Sequence, residues 1–154
     1  MDILREVSDE ELFYIIQKLE EKLPYTLKDL YYIKSALKCR EESCNHKNLS
    51  DKVLPKFYTH RHGKREHCTI FGITRDRDHS VWYFSFDDGL REIRECLDTK
   101  FIMWGTKFIF ETIHVEQIDS VLDYAKKHEL SVDVNEYAAY YSLSKQEALS
   151  FNVE

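Results

Sequence analysis

The sequence predicts a single domain of mixed α/β structure, more specifically of the α+β type, with a mixed, mostly antiparallel sheet and flanking helices. Three observations predict it. Apolar residues recur at helical spacing near the N-terminus, three short β-like runs then follow one another, and helical and extended patterns alternate after them. The hydrophobic fraction of 43% supplies enough apolar material for a core. The predicted element order is ααβββαβαβ over residues 1–154, with no linker between domains.

Two helices are predicted at the N-terminus. Ser8 and Glu11 form a capping-box pair that marks the start of the first helix. The spacing behind it predicts a buried stripe of Leu12, Ile15, Ile16 and Leu19. Pro24 ends this helix or its connector, and Thr26 is expected to cap the second helix. The buried positions expected there are Leu27, Leu30, Tyr31 and Leu37, and the polar stretch 39–52 predicts a loop.

Three β-like runs come next, from Val53 to His60, from His67 to Thr74 and from Val81 to Phe86. The short turn-like links between them predict an antiparallel meander. The third run is apolar at nearly every position, which is typical of a central strand with both faces covered.

The remaining elements are predicted from caps and periodicity. Asp87 or Asp88 can cap a helix from Gly89 to about Leu97, with Leu90, Ile93 and Leu97 facing inward. A strand is expected from Lys107 to His114. A helix from Val115 to about His128 follows, with a stripe of Ile118, Leu122 and Ala125. A last extended run covers Val132 to Leu143, and Ser144 starts a terminal helical turn.

Charge and composition limit the environment that we expect. The net charge of −6 opposes sequence-independent binding of nucleic acid, so we do not expect a nucleic-acid partner. No apolar run approaches the roughly 20 residues of a membrane span, so no membrane partner is expected. The four cysteines follow no export signal, which predicts reduced thiols in the cytoplasm or the nucleus.

Three local patterns resemble the N-terminal half of glycine N-acyltransferase-like proteins of the insect type, within the acetyltransferase (GNAT) superfamily. They are residues 21–28 leading into Tyr31 and Tyr32, the strand Val81 to Phe86 with its capped helix, and residues 113–116. The element order resembles the GNAT fold after its first strand. In such proteins this half precedes a C-terminal acetyltransferase-like half that binds acyl-CoA, and the resemblance implies that the two halves pack together.

The glycine-rich phosphate loop of that superfamily is missing from the matching stretch. A GNAT catalytic half holds the CoA pyrophosphate on backbone N–H groups, and glycines let the backbone approach the phosphates. Here that stretch carries Asp87, Asp88 and Gly89, a degenerate cofactor position. An aspartate at the cap would occupy the same N–H groups and repel the pyrophosphate. We therefore expect no cofactor, acyl-CoA being expected only with a C-terminal catalytic half.

Other residues that could carry chemistry also have structural explanations. His60, His62, His67 and Cys68, with Cys39, Cys44 and His46 upstream, are the densest group of possible zinc ligands, but their spacing matches no standard zinc motif, so no metal site is expected. The cationic stretch 61–65 is more typical of a solvated hairpin tip than of a nucleic-acid patch. A Cys68–His67 pair is a poor catalytic dyad because adjacent strand residues face opposite ways. We expect Cys96 to be a structural thiol.

The function predicted from these residues is a non-catalytic GNAT-like accessory or binding domain. It would be the N-terminal half, or a stand-alone relative, of an acyl-CoA-dependent N-acyltransferase, and no catalytic residue is expected. The alternative is an N-acyltransferase with an atypical acyl-CoA site, and a zinc- or nucleic-acid-binding module ranks below both. The partner would be a protein or the C-terminal half, on a surface formed by Tyr137, Tyr140 and Tyr141.

Overall fold

A five-stranded sheet with helices on both of its faces is the frame of this protein. The computed structural model describes residues 1–45, 54–75 and 79–134. In chain order its strands are β1 (Leu4–Glu6), β2 (Lys56–His60), β3 (Ile70–Thr74), β4 (Ser80–Phe84) and β5 (Ile109–Phe110). They lie in the sheet in the order β1-β2-β3-β4-β5.

The pairing within this sheet is mostly antiparallel, as predicted. The β1–β2, β2–β3 and β3–β4 pairs are antiparallel, so the expected meander is confirmed. Strands β4 and β5 are parallel and pair at only two positions, Ser80 with Ile109 and Val81 with Phe110. The chain between them must therefore cross over, and α3 lies within that connection.

In the part of the chain that the structure describes, four helices cover the sheet: α1 (Asp9–Glu20), α2 (Leu27–Asn45), α3 (Arg91–Cys96) and α4 (Asp119–Lys127). Short 3₁₀ turns cover Arg65–His67 and Val115–Gln117. The capping box at the start of α1 is confirmed, since Ser8 Oγ accepts the N–H of Glu11 and the Glu11 carboxylate accepts the N–H of Ser8.

Side chains that alternate along β4 enter two different cores. Val81 and Tyr83 lie in the core formed with α3 and α4, together with Leu4, Tyr58, Phe71, Ile73, Ile93, Cys96, Leu97, Ile102 and Val121. Trp82 and Phe84 lie in the core formed with α1 and α2, together with Leu12, Ile15, Leu19, Leu30, Ile33, Ala36, Phe57, Cys68 and Ile70. The prediction that this strand has both faces covered is confirmed.

Strand β1 is absent from the predicted order. It has only three residues, too few for a period of two to stand out from the charged N-terminus. Its place is set by pairing with β2, where Leu4 lies opposite His60 and Arg5 opposite Thr59. The order in the structure is therefore β1-α1-α2-β2-β3-β4-α3-β5-α4.

The buried face of α2 differs from the predicted one. Leu30, Ile33 and Ala36 are buried, whereas Leu27 and Tyr31 are 60% and 74% exposed. Asp29 is fully buried on the same side of the helix, where it binds Trp82 and His114. Thr26 holds the predicted cap position, since its carbonyl accepts the N–H of Leu30 at 3.0 Å, but its hydroxyl donates to the Leu19 carbonyl across the turn.

Several predicted boundaries also need correction. Helix α2 continues to Asn45, so residues 39–45 are helical and do not form a loop. Helix α3 begins at Arg91, later than the expected Gly89, and His67 lies in a 3₁₀ turn before β3. The expected strand from Lys107 shrinks to Ile109–Phe110, and a 3₁₀ turn precedes α4. Residues 131–134 have no regular structure, and the extended run and helical turn predicted beyond them lie outside the described residues.

No helix in the described part of the chain has both the length and the apolar composition that a membrane crossing requires.

Candidate functional site

Polar side chains collect where the chain leaves β4 and enters α3. The 3₁₀ turn Arg65–His67 lies against this connection, because the N–H of Phe86 donates to the His67 carbonyl at 2.7 Å. The turn and the connection bring together His67, Asp87 and Glu92, which we call the Glu92 cluster. One ligand-type atom of each residue lies within 4.8 Å of the other two.

Glu92 is a buried carboxylate, 8% exposed, in the first turn of α3. Its Oε1 accepts the Thr69 hydroxyl at 3.1 Å. Its Oε2 contacts His67 Nδ1 and accepts the backbone N–H of Lys64 at 3.4 Å. A carboxylate removed from water to this degree must be paired or hydrogen-bonded, and both of its oxygens are.

Asp87 binds the start of α3 from outside the helix. Its Oδ2 accepts the N–H of Glu92 at 3.1 Å, and its own N–H donates to Ser85 Oγ at 3.0 Å. The N-cap position is held by Leu90, which has a left-handed backbone with φ of 55° and no side-chain cap bond. Asp88 is exposed. Of the two aspartates predicted to cap this helix, Asp87 accepts a helix N–H, although five residues away and not two or three.

Two hydroxyls support the Glu92 cluster from behind. Thr69 Oγ1 and Ser85 Oγ are 2.8 Å apart, and each binds one acidic residue of the cluster. Gly63 closes the side next to the hairpin tip, since a Cβ atom there would overlap Glu92 Oε1. The carboxylates are thus held by groups that are fixed in the fold.

The structure does not bring together the four residues weighed as zinc ligands. Buried His60 accepts the N–H of His62 on Nδ1 at 3.0 Å, so its proton is on Nε2, which donates to Glu95 at 2.6 Å. Hydrogen bonds from His60 and Arg91 lower the pKa of Glu95. His62 is exposed, and Cys68 Sγ faces the Arg65 carbonyl at 3.6 Å. Of the four, only His67 belongs to the Glu92 cluster.

Two of the thiols are buried, and two residues of the cationic stretch make contacts within the fold. Burial raises the pKa of Cys68 to about 11 and also raises the pKa of Cys96, so both thiols stay protonated at neutral pH. Arg61 donates to the carbonyls of Asp2 and Leu4, which ties the hairpin to the N-terminus. The Arg65 guanidinium lies 4.1 Å from the centroid of the Tyr14 ring. These contacts lie within the protein and do not support the hypothesis of a nucleic-acid patch.

In the described residues, the chain that follows β5 leaves the backbone pairing with β4 after Glu111. The last ladder bond is from the N–H of Glu111 to the Val81 carbonyl at 2.9 Å. Further along, the side chain of Gln117 donates from Nε2 to the Ser85 carbonyl at 2.8 Å. The Tyr83 hydroxyl donates to the Gln117 carbonyl at 2.8 Å. Gln117 Oε1 is buried and has no hydrogen-bond partner among the residues that the structure describes.

A second buried carboxylate, Asp29 of α2, was not anticipated from the sequence. Its Oδ1 accepts Trp82 Nε1–H at 3.2 Å and Lys28 Nζ at 3.2 Å, and its Oδ2 binds His114 Nε2 at 2.7 Å. Tyr25 stacks on the His114 ring with centroids 4.6 Å apart. Burial lowers the pKa of Lys28. The group joins α2 to β4 and to the segment after β5.

An apolar groove of about 690 Å³ lies beside β5 and α4. Its lining includes Trp104, Phe108, Phe110, Val121 and Leu130. The tyrosines predicted to form an interaction surface, Tyr137, Tyr140 and Tyr141, lie outside the described residues.

The fold and this site define an α/β domain in which the connection from β4 to α3 is rich in carboxylates. The chain belongs to the family described as Domain of unknown function (DUF5645), whose model matches residues 3–124. It is similar in fold to an X-ray structure of a Drosophila protein, a target of the Northeast Structural Genomics Consortium, with a TM-score of 0.70 and 24% identity over 86% of this chain. The chain spans 47% of the length of that protein. No curated protein matches it.

Proposed function

We propose that this chain is a non-catalytic GNAT-like accessory or binding domain, the N-terminal half or a stand-alone relative of an acyl-CoA-dependent N-acyltransferase. The order β1-α1-α2-β2-β3-β4-α3-β5-α4, with β5 parallel to β4, supports the GNAT-like part of the proposal. The Drosophila structure of about twice the length is consistent with a half of a longer protein, although its likeness extends to the fold alone.

The observation that carries the non-catalytic part is the chemistry of the connection from β4 to α3. A pyrophosphate would need free N–H groups at the start of this helix. Here the N–H of Glu92 is taken by the Asp87 carboxylate, and the Glu92 carboxylate lies beside it. The two carboxylates would repel a pyrophosphate. The Leu90 side chain would also prevent the backbone from approaching the phosphates as closely as glycine allows.

Calorimetric titration of the chain with acetyl-CoA and with longer acyl-CoAs tests this proposal. We expect no saturable binding. Saturable binding in the micromolar range would replace it with the alternative, an N-acyltransferase with an atypical acyl-CoA site. The observation that favours this alternative is Gln117 Oε1 beside β4, a buried acceptor to which no group in the described part of the chain donates.

The role of Asp87 gives a matched pair of variants. Asp87→Ala should lower the free energy of unfolding by about 1 kcal/mol, because the N–H of Glu92 loses its acceptor. Asp88→Ala, at an exposed position, is the control and should change it by less than about 0.5 kcal/mol. Urea unfolding gives both values, and neither variant should gain acyl-CoA affinity. Equal stability of wild type and Asp87→Ala would mean that Asp87 does not stabilise the start of α3.

A further inference from the structure

We infer that the Glu92 cluster is a binding site for a first-row divalent cation such as Mn²⁺ or Zn²⁺. The three residues offer one imidazole nitrogen and two carboxylate oxygens, a mixed donor set that suits these ions. This inference goes beyond the proposed accessory role and uses different residues from the four weighed as zinc ligands, with only His67 in common.

The donor atoms lie close enough together to share one ion after small movements of the side chains. The atoms lie within 4.8 Å of one another. Bonds of about 2.0–2.2 Å to a tetrahedral ion place its ligands about 3.5 Å apart. His67 Nδ1 and Glu92 Oε2 are in direct contact and would separate around the ion, while Asp87, half-buried at the edge of the site, would supply the third donor atom. Waters would complete the coordination on the open side.

The charge of the cluster favours a cation. Two carboxylates face one imidazole, and the ion pairs among residues 1–45, 54–75 and 79–134 give neither Asp87 nor Glu92 a Lys or Arg partner. Their other contacts are neutral donors: the Thr69 hydroxyl and the backbone N–H groups of Lys64 and Glu92. A bound ion would take the place of the proton between His67 Nδ1 and Glu92 Oε2.

The groups behind the carboxylates resemble the outer partners of metal ligands. Thr69 orients Glu92, Ser85 orients the Asp87 backbone, and the two hydroxyls bind each other. Such partners fix the direction of the ligand oxygens before an ion arrives. Cys68 takes no part, because it is buried in the core formed with α1 and α2.

The test is calorimetry of the full chain with MnCl₂, ZnCl₂ and MgCl₂, followed by variants with similar shapes. We expect one Mn²⁺ or Zn²⁺ per chain and weaker Mg²⁺ binding. Asp87→Asn and His67→Gln should each weaken binding by tenfold or more, because the first removes a negative charge from a ligand and the second replaces an imidazole by a neutral amide. Asp88→Asn and His62→Ala are the controls and should stay within twofold of wild type.

Paramagnetic broadening of amide NMR signals by Mn²⁺ locates the ion in the wild type without any substitution. It therefore tests the position of the site even if a variant fails to fold. We expect the amide signals of His67, Asp87 and Glu92 to broaden first. Broadening centred elsewhere, the absence of saturable binding, or equal loss in the control variants would each overturn the inference. Because acyl-CoA is absent from these titrations, their result is independent of the proposed accessory function.

Discussion

Gly72 allows an aromatic ring to lie directly on the sheet. The residue sits between Phe57 and Trp82 of the neighbouring strands, and the Tyr32 ring stacks on Trp82 with centroids 4.6 Å apart. A Cβ atom at Gly72 would come within 2.7 Å of Tyr32 Cε1. The glycine is therefore a packing requirement, and no positive φ is involved.

Gly72→Ala should lower the free energy of unfolding by about 1–3 kcal/mol, because the Tyr32 ring must be displaced. Gly105→Ala is the matched control, since a Cβ there meets nothing within 4 Å, and should change it by less than about 0.5 kcal/mol. Urea melts of both variants provide the comparison. Equal effects at the two glycines would mean that Tyr32 does not pack as described.

Glu11 should make the stability of the protein sensitive to acid. Hydrogen bonds from Arg5, at 2.8 and 2.5 Å, lower the pKa of Glu11 from 4.5 to about 2. Because the pKa of Glu11 is lower in the folded state, its contribution to the free energy of unfolding is complete above the unfolded pKa near 4.5. This contribution is lost as the pH falls toward 2.

The variant Glu11→Gln should therefore be less stable than wild type at pH 7, and the difference should shrink between pH 4.5 and 2. Unfolding free energies across this range measure it. Glu10→Gln, one residue earlier in the same helix turn, controls for loss of a negative charge from the turn. A difference between wild type and Glu11→Gln that stays constant with pH would contradict the prediction.

The buried carboxylates mark the limit of what the sequence could predict at single positions. Ser8 and Glu11 were found because capping partners are three residues apart. Asp29 and Glu92 are charged residues, expected at the surface, and their burial depends on partners that are distant in the chain. Asp29 meets Trp82 and His114, and Glu92 meets His67 and Thr69, only after the sheet has formed.

Helix α3 is short, and its contribution to stability comes from its buried face. Ile93 and Leu97 are fully buried, as predicted, while Leu90 is half-buried at the N-cap. The helix packs its apolar side against the core that holds Val81 and Tyr83.

Ile93→Ala should therefore cost about 2–5 kcal/mol, the range for an aliphatic side chain removed from a closed core. Arg91→Ala, whose side chain is 86% exposed, is the control in the same helix and should cost less than about 1 kcal/mol. Urea unfolding separates the two cases. A loss at Ile93 no larger than at Arg91 would mean that α3 does not pack on the sheet.

The elements were predicted best where periodicity alone decides them. The stripe of α1 and the apolar run of β4 are confirmed on this basis. In α2 the apolar pattern is compatible with more than one buried face. In the structure Asp29 is buried, and Leu27 and Tyr31 are exposed. The strand predicted from Lys107 is too long, because β5 pairs with β4 at only two residues. Further along, the Gln117 side chain and not a backbone N–H binds the Ser85 carbonyl.

The two cores share one sheet, so the whole molecule should unfold in a single step. Each core has its own tryptophan among the two in the sequence. Trp82 is buried against α1 and α2, and Trp104 packs on the opposite core, where it stacks on Tyr124.

In Trp82→Phe the fluorescence reports the core around Trp104, and in Trp104→Phe it reports the core around Trp82. Within each variant, the urea midpoint by fluorescence should equal the midpoint by far-UV circular dichroism. Comparison within a variant avoids the problem that the two substitutions change stability by different amounts. Separate midpoints would show that one layer of helices can detach while the rest stays folded.

The agreement between strand order in the sheet and strand order in the chain has a consequence for how the molecule forms. Strands β2, β3 and β4 are joined by short links, so each can pair with its predecessor at a small cost in loop closure. Strand β1 is separated from β2 by both α1 and α2, and β5 from β4 by α3. Contacts between segments this far apart are slow to form, which makes the central meander the expected nucleus and the two outer strands the last to join.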